Sequence, residues 1–211
     1  MKPAFVDEFF RRLSAQNPDP KTELNYTNPY TLLVAVVLSA QATDSGVNRA
    51  TEKLFQKVKA PQQMLALGEA GLKQHIKTIG LFNAKAKNVI ALSQMLVDDF
   101  GGEVPRARDD LQKLPGVGRK TANVVLNVVF GEPTMAVDTH VFRVANRTGM
   151  AKGKTPEEVE HKLVKIIPPR WMRHAHHWLI LQGRYVCKAR TPECPACLVQ
   201  DLCGFKPKTT A

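Results

Sequence analysis

Cysteine is missing from the first 186 residues of this 211-residue chain, and all four cysteines follow within a short segment. Structural cysteines, which behave as small buried apolar residues, would be spread along the sequence. Four cysteines could form two disulfides on number alone. However, residues 1–7 contain neither a long apolar segment nor a small-residue cleavage site, so we expect no secretory signal and a reducing compartment in which thiolates bind metals. The grouping of the cysteines in one short segment therefore predicts one metal site, formed by Cys187, Cys194, Cys197 and Cys203.

The chain also lacks long apolar runs, interdomain linkers and an acidic balance. Its longest apolar run, residues 30–38, is about half of a membrane span and predicts a buried helix. No Gly-, Ser- or Pro-rich stretch separates two halves, so two lobes would be held together by packing. Lys and Arg number 30 against 19 Asp and Glu, a net charge of +11. This basic balance favours a polyanionic partner, with nucleic acid the first candidate, over a charge that serves solubility alone.

The apolar pattern predicts an all-α protein of one large domain or two small ones. Apolar residues recur at helical spacing in Phe5–Leu13 and in Val89–Phe100. Thr155–Glu158 has the form of a capping box with proline at the first helical position, and Trp171–Cys187 predicts a last long helix. Strand signals are confined to Thr134–Val137.

The cysteine spacing, C-x6-C-x2-C-x5-C, does not identify the metal by itself. Four-cysteine zinc sites usually contain two close C-x2-4-C pairs, and this chain has only one. A [4Fe–4S] cluster is wider than a single ion and tolerates more open spacing, although neither common ferredoxin pattern matches. Spacing therefore leaves zinc and the cluster open and favours the cluster slightly.

A glycine-rich turn between two predicted helices, spanning about residues 108–130, is the second strong motif. The first helix stops at Pro115, Gly116 and Gly118 permit a tight turn, and the second helix begins near Gly118. The turn would present backbone N–H groups and the positive end of a helix dipole to an anion. Such a turn could be an ordinary helical corner, but the adjacent Arg119 and Lys120 favour a phosphate contact that does not depend on DNA sequence.

With these motifs the chain resembles the endonuclease III family, bifunctional DNA glycosylases and abasic-site lyases of the helix–hairpin–helix superfamily. The resemblance covers about residues 22–205 and rests on four motifs in order: Leu38–Asp44, Leu114–Ala122, Val137–Arg143 and the cysteine tail. It implies a [4Fe–4S] cluster rather than zinc. It also implies two lobes on either side of a DNA-binding cleft. One is a helical barrel lobe formed by residues 22–132. The other is a cluster lobe formed by residues 1–21 plus 133–211, with the cluster loop at 187–203.

The resemblance implies that Lys120 and Asp138 are catalytic. Lys120 would lie at a helix N-terminus beside Arg119, and both the dipole and the like charge favour the neutral, nucleophilic amine. Asp138 begins a helix, where it could be an N-cap and could also stabilise positive charge that develops on the sugar. The alternative for Lys120 is a solvated phosphate contact.

The remaining site residues are expected to contact DNA. Gln41 and Leu81 match family positions that enter the duplex when a base is flipped out, with Gly80 at a loop tip; the alternatives are a buried helix cap and a core leucine. Gly116, Gly118 and Arg119 would contact phosphates from the hairpin. Lys188 and Arg190 would do so from the basic loop between Cys187 and Cys194.

The resemblance implies base-excision repair of double-stranded DNA that contains oxidised pyrimidines or abasic sites: removal of the oxidised pyrimidine through a Lys120 Schiff base and nicking of the abasic site by β-elimination. We expect a monomeric enzyme in a bacterial-type cytoplasm, associated with the nucleoid and with no membrane partner. The alternatives are an adenine-mismatch glycosylase without lyase activity and a non-catalytic DNA-binding module stabilised by a metal. His174, His176 and His177 are expected to be packed or exposed rather than to bind a second metal. Arg143, Arg147 and Arg184 could support either the cluster lobe or the phosphate surface.

Overall fold

A computed structural model describes residues 2–210, which form ten α-helices and one π-helix. The helices are α1 Pro3–Gln16, α2 Pro29–Ser39, α3 Asp44–Lys57, α4 Pro61–Ile76, α5 Phe82–Phe100, α6 Arg108–Lys113, α7 Arg119–Phe130, α8 Thr139–Thr148, α9 Pro156–Ile166 and α10 Pro169–Leu181, followed by the π-helix Gln182–Val186. The predicted all-α class is confirmed. None of the helices in this part of the chain combines the length and apolarity that a membrane crossing requires.

The strand signals at Thr134–Val137 do not lead to a strand. The segment is extended, but no strand forms anywhere in residues 2–210, so it has no partner with which to pair. Met135 and Val137 are buried in a cluster of helical side chains instead. Their β-favouring side chains therefore pack well in an extended connection between α7 and α8, because β propensity largely reflects side-chain packing.

Capping residues determine where several helices begin. Asn28 forms a reciprocal capping box with Thr31, in which Asn28 Oδ1 accepts from Thr31 N at 2.9 Å and Thr31 Oγ1 accepts from Asn28 N at 3.0 Å. The apolar run that follows is buried along its whole length in α2. At α9, Thr155 Oγ1 accepts from Glu158 N at 3.2 Å, as the sequence predicts.

The chain divides into two compact units. The first, Thr22–Gly131, contains α2 to α7, with α2 packed against α3, α5 and α7 and with α5 lying along α4. The second combines the segment up to Lys21 with the segment from Glu132 onward. In this second unit α1 packs against α10 through Phe10 and Trp178, whose ring centroids are 6.1 Å apart. The N-terminal helix is therefore part of the unit that carries the cysteines.

Candidate active site and metal centre

The hairpin between α6 and α7 is built around two buried apolar anchors and a left-handed glycine. Leu114 and Val117 are buried, and Val117 N donates to Leu114 O at 3.0 Å to close the turn. Between them Gly116 has φ +80°, and a Cβ there would lie 3.0 Å from Asn88 Nδ2 and 3.1 Å from Asn88 Cβ. Gly116 is thus required both by backbone conformation and by close approach. Gly118 is the N-cap of α7, and a helix end of this kind favours an anion.

Lys120 lies in the first turn of α7 and is exposed, as the sequence predicts. Arg119 precedes it at the first helical position and is half-buried. Both residues belong to the unit Thr22–Gly131. The hairpin therefore presents an amine immediately beside the anion-favouring end of a helix.

Asp138 belongs to the other unit, where it is the N-cap of α8. Its Oδ1 accepts two backbone hydrogen bonds, from His140 N and Val141 N, each at 2.8 Å. The side chain is half-buried. The cap therefore fixes the carboxylate through one oxygen, a geometry that suits an electrostatic role as well as a structural one.

Gln41 and Leu81 share a backbone strain that distinguishes them from every other non-glycine residue in positions 2–210. Gln41 has φ +53° and Leu81 has φ +60°, in the left-handed region that costs an L-residue about 1–2 kcal/mol. Both side chains are exposed, Leu81 to 60%. The backbone places the two turns side by side, because a Cβ on Gly80 would lie 3.9 Å from Gln41 O. Strain of this kind concentrates at functional sites.

All four cysteines are free thiols and line one cavity of about 30 Å³. The rest of its lining is mainly apolar and includes Val144, Val186 and Val199. Within residues 2–210, no three His, Cys, Asp or Glu side chains converge closely enough for a single metal ion. The sulfurs therefore surround a space without meeting at one point.

Several N–H groups point at these sulfurs. Gln182 Nε2 donates to Cys197 Sγ at 3.2 Å, Phe205 N to Cys203 Sγ at 3.5 Å and Arg147 Nη1 to Cys187 Sγ at 3.6 Å. Donors of this kind favour thiolate. Burial acts in the opposite direction and raises the pKa of the Cys197 and Cys203 thiols above the ordinary value. Four sulfur donors with N–H groups hydrogen-bonded to them match the chemistry of zinc–thiolate and iron–sulfur sites.

Arg143 and Arg147 support the cysteine segment, which the sequence alone left open. Arg143 donates from Nε to Cys187 O at 2.9 Å and from Nη2 to Gly183 O at 2.7 Å. Arg147 donates to the carbonyls of Lys188 and Ala189, each at 2.6 Å. About 40 residues separate donor and acceptor in each case, so no local sequence signal could have revealed these contacts.

The loop between Cys187 and Cys194 carries one paired and one outward basic residue. Lys188 forms a salt bridge with Glu193 in the same loop, whereas Arg190 is exposed. The loop is tied across its base, since Glu193 N donates to Val186 O at 2.9 Å. The sequence predicts the same phosphate-binding role for Lys188 and Arg190, whereas in the structure Lys188 is paired with Glu193 and Arg190 is exposed.

The histidines of α10 are packed and form no metal-binding group within the described residues. His176 and His177 are buried, with ring centroids 5.1 Å apart, and His174 lies against Trp178. Burial, with a smaller contribution from His174, lowers the pKa of His177 to about 4. The His177 ring is therefore neutral near pH 7.

These features define a helix–hairpin–helix protein with a cysteine-lined centre, and the comparisons with known proteins agree. Residues 34–169 match the family model of the HhH-GPD superfamily base excision DNA repair protein. The chain is 60% identical to endonuclease III of Rickettsia conorii, over 97% of this chain and 98% of that protein. It is 56% identical to endonuclease III of Escherichia coli K12, over 95% of each.

Solved structures give the same result. A trapped endonuclease III–DNA covalent intermediate is 47% identical and superposes with a TM-score of 0.90, over 97% of this chain and 96% of that one. The chain belongs to the endonuclease III family of DNA glycosylases and abasic-site lyases.

Proposed function

We propose that Lys120 is the nucleophile of a coupled base-excision and strand-nicking reaction on oxidised pyrimidines in double-stranded DNA. Its neutral amine would attack C1′ of the damaged nucleotide, which is flipped out of the stack, and expel the base. The C1′–O4′ bond then breaks, O4′ takes up a proton and nitrogen loses one, so the sugar ring opens and an imine remains. The imine acidifies the C2′ proton, and β-elimination then breaks the C3′–O bond and releases the 3′ phosphate. The observation that carries this assignment is an exposed lysine, Lys120, in the first turn of the helix after the hairpin.

Asp138 would serve the step in which the base departs. Its carboxylate is held by two backbone N–H groups through Oδ1, which fixes its orientation before substrate binds. A preorganised negative charge stabilises positive charge that develops on the sugar and can assist proton transfer. Its capping and catalytic roles are compatible, because a carboxylate has two oxygens and several acceptor positions.

Gln41 and Leu81 would fill the space that the flipped base leaves. Their exposed, left-handed turns lie next to each other, and an apolar wedge such as Leu81 can unstack neighbouring bases. The hairpin residues Gly116, Gly118 and Arg119 would hold phosphate. Arg190 would add a contact from the loop, with Lys188 available once it exchanges Glu193 for a phosphate.

Cys187, Cys194, Cys197 and Cys203 would hold a [4Fe–4S] cluster. Their side chains line one cavity, and membership of the endonuclease III family favours a cluster over one zinc ion. The bound cluster would supply structural cross-linking through its four iron–thiolate bonds. The chain's own residues orient the segment, since Arg143 and Arg147 bind its carbonyls. Purified protein should therefore be yellow-brown and contain about four iron atoms per chain rather than one zinc.

The same proposal places the chain in a bacterial-type cytoplasm with nucleoid DNA as its partner, acting as a monomer. The support is the net charge of +11 and the reducing conditions that four unpaired thiols require. Sedimentation of the protein alone and with a short duplex tests the monomer directly. A stable dimer without DNA would contradict it.

Borohydride trapping on a duplex with an abasic site tests the nucleophile. Wild-type protein should give a covalent adduct, and Lys120→Gln should give none. Lys113→Gln is the matched control, because Lys113 is an exposed lysine of the same hairpin that pairs with Asp110. It should be trapped like wild type. An adduct retained in Lys120→Gln overturns the assignment. Wild-type protein that excises the base from a duplex with an oxidised pyrimidine but gives no adduct on the abasic-site duplex is a glycosylase without lyase activity. Wild-type protein that excises no base and leaves the abasic strand intact is a non-catalytic module.

A further inference from the structure

The π-helix Gln182–Val186 runs directly from α10 to Cys187. Its wider turn is shown by Cys187 N, which donates to Gln182 O at 2.6 Å, five residues earlier. Turns of this kind are rare and occur frequently at functional sites. This one is packed against α8, the helix that Asp138 caps.

Gly183 is the contact point between the two helices. A Cβ at Gly183 would lie 2.8 Å from His140 Cβ and 3.1 Å from both Cα and O of His140. Two of these three atoms are backbone, so the first turn of α8 cannot yield by a rotamer change. The φ angle of Gly183 is not positive, so any residue could adopt its conformation. Glycine is needed here for space alone.

The same turn of α8 holds the Asp138 carboxylate. His140 N is one of the two donors to Asp138 Oδ1, so the residue that Gly183 touches also orients the acid. Arg143 bridges the π-helix and α8: its Nη2 donates to Gly183 O at 2.7 Å and lies 3.1 Å from His140 Nδ1. The backbone of the π-helix and the N-terminus of α8 are thereby fixed relative to each other.

We propose that Gly183 is a positioning residue for the reaction. Because it has no side chain, the π-helix can pack closely against the first turn of α8, and that turn fixes the orientation of the Asp138 carboxylate. This inference rests on the proposed role of Asp138. To reach an ordinary contact of 3.4 Å, a Cβ at position 183 must displace His140 or the π-helix by about 0.6 Å. Displacements of this order at a catalytic group cost roughly tenfold or more in rate.

The test compares Gly183→Ala with Gly153→Ala. Gly153 lies in the same unit, also has no positive φ, and its Cβ would lie 2.9 Å from Val159 Cγ2 and 3.3 Å from Val159 N. Both variants therefore overpack a well-filled contact, and both should melt at a lower temperature than wild type. Only Gly183→Ala moves the turn that holds the carboxylate.

Single-turnover base excision with saturating enzyme should slow about tenfold or more in Gly183→Ala and stay unchanged in Gly153→Ala. The dissociation constant for an uncleavable abasic-site duplex, and the visible absorbance per chain, should be unchanged in both. An unchanged rate in Gly183→Ala, an equal loss of rate in both variants, or a loss that follows absorbance or DNA affinity would overturn the inference. Asp138→Asn, measured alongside, separates the two proposals: full excision by that variant refutes the role of Asp138 itself.

Discussion

Leu81 couples a strained backbone to an exposed side chain, and this predicts that stability and activity will respond to mutation in opposite directions. Its φ of +60° costs an L-residue about 1–2 kcal/mol, whereas glycine adopts it freely. Leu81 is also the N-cap of α5, a position where glycine is preferred over leucine or alanine. The side chain is 60% exposed, so truncation removes little buried surface.

The magnitude follows from these opposing contributions. Relief of the left-handed strain in Leu81→Gly is partly offset by about 0.5–1 kcal/mol of extra freedom in the unfolded chain. We expect a net stabilisation of about 0.5–1 kcal/mol, which for a protein of this size raises Tm by roughly 1–4 °C. Leu81→Ala keeps the strain and should leave Tm close to that of wild type.

Activity should fall in both variants because both remove the wedge. Unstacking a base step costs about a few kcal/mol, so base excision should slow by at least roughly tenfold in Leu81→Ala and in Leu81→Gly alike. The assays are thermal unfolding and single-turnover excision on the same preparations. A lower Tm for Leu81→Gly than for Leu81→Ala would refute the strain argument, and full activity in either variant would refute the wedge.

Three further predictions concern the hairpin, the N-terminal helix and α10. Gly116→Ala should lower the unfolding free energy by about 1–3 kcal/mol through strain and overpacking, measured by denaturant titration, whereas Gly118→Ala, with open space around its Cβ, should be near neutral. Arg12→Ala removes two hydrogen bonds to Asp201, which lies between the third and fourth cysteines. Visible absorbance should therefore decay faster in chelator than in Arg11→Ala, whose arginine pairs with Glu8 within α1. Burial lowers the pKa of His177 in the folded protein to about 4, from 6.5. As the pH drops from 6.5 to 4, the unfolded chain therefore binds this proton before the folded protein does, and the free energy of unfolding falls, by roughly 3 kcal/mol at pH 4. Unfolding of His177→Asn across that range should show a shallower fall; an unchanged slope would contradict the linkage.

The sequence predicts best where local chemistry decides the outcome. Proline and paired glycines end α6 and open α7, and the caps at Asn28 and Thr155 begin α2 and α9, because each depends on residues within one turn. The strand signals at Thr134–Val137 yield only an extended segment, since a strand depends on pairing with a distant partner and no strand forms in the part of the chain that the structure describes.

Features that depend on long-range packing could not be predicted. The sequence placed Gly80 at the loop tip, but the left-handed residue is Leu81, which keeps its unfavourable angle because the surrounding turn determines it. The π-helix and the close contact at Gly183 require α8 to lie against it, 43 positions away in the chain from His140. Arg147 likewise meets carbonyls about 40 residues further on. Helical periodicity carries no information about such distances.

The unit that combines the segment up to Lys21 with the segment from Glu132 onward cannot finish folding until both segments have been synthesised. Helix α1 is synthesised well before α10, yet Asp7 accepts a hydrogen bond from Trp171 Nε1, 164 residues further along the chain. At about 5–20 residues per second, this helix waits roughly 10–30 s for its partner. During that interval Phe9 and Phe10, which are fully buried in the finished protein, lack the α10 side chains of their core cluster, whereas the unit Thr22–Gly131 is one continuous segment of the chain. We therefore expect the nascent chain to expose the apolar face of α1 until α10 has been synthesised, and the cysteine segment to close only after that point.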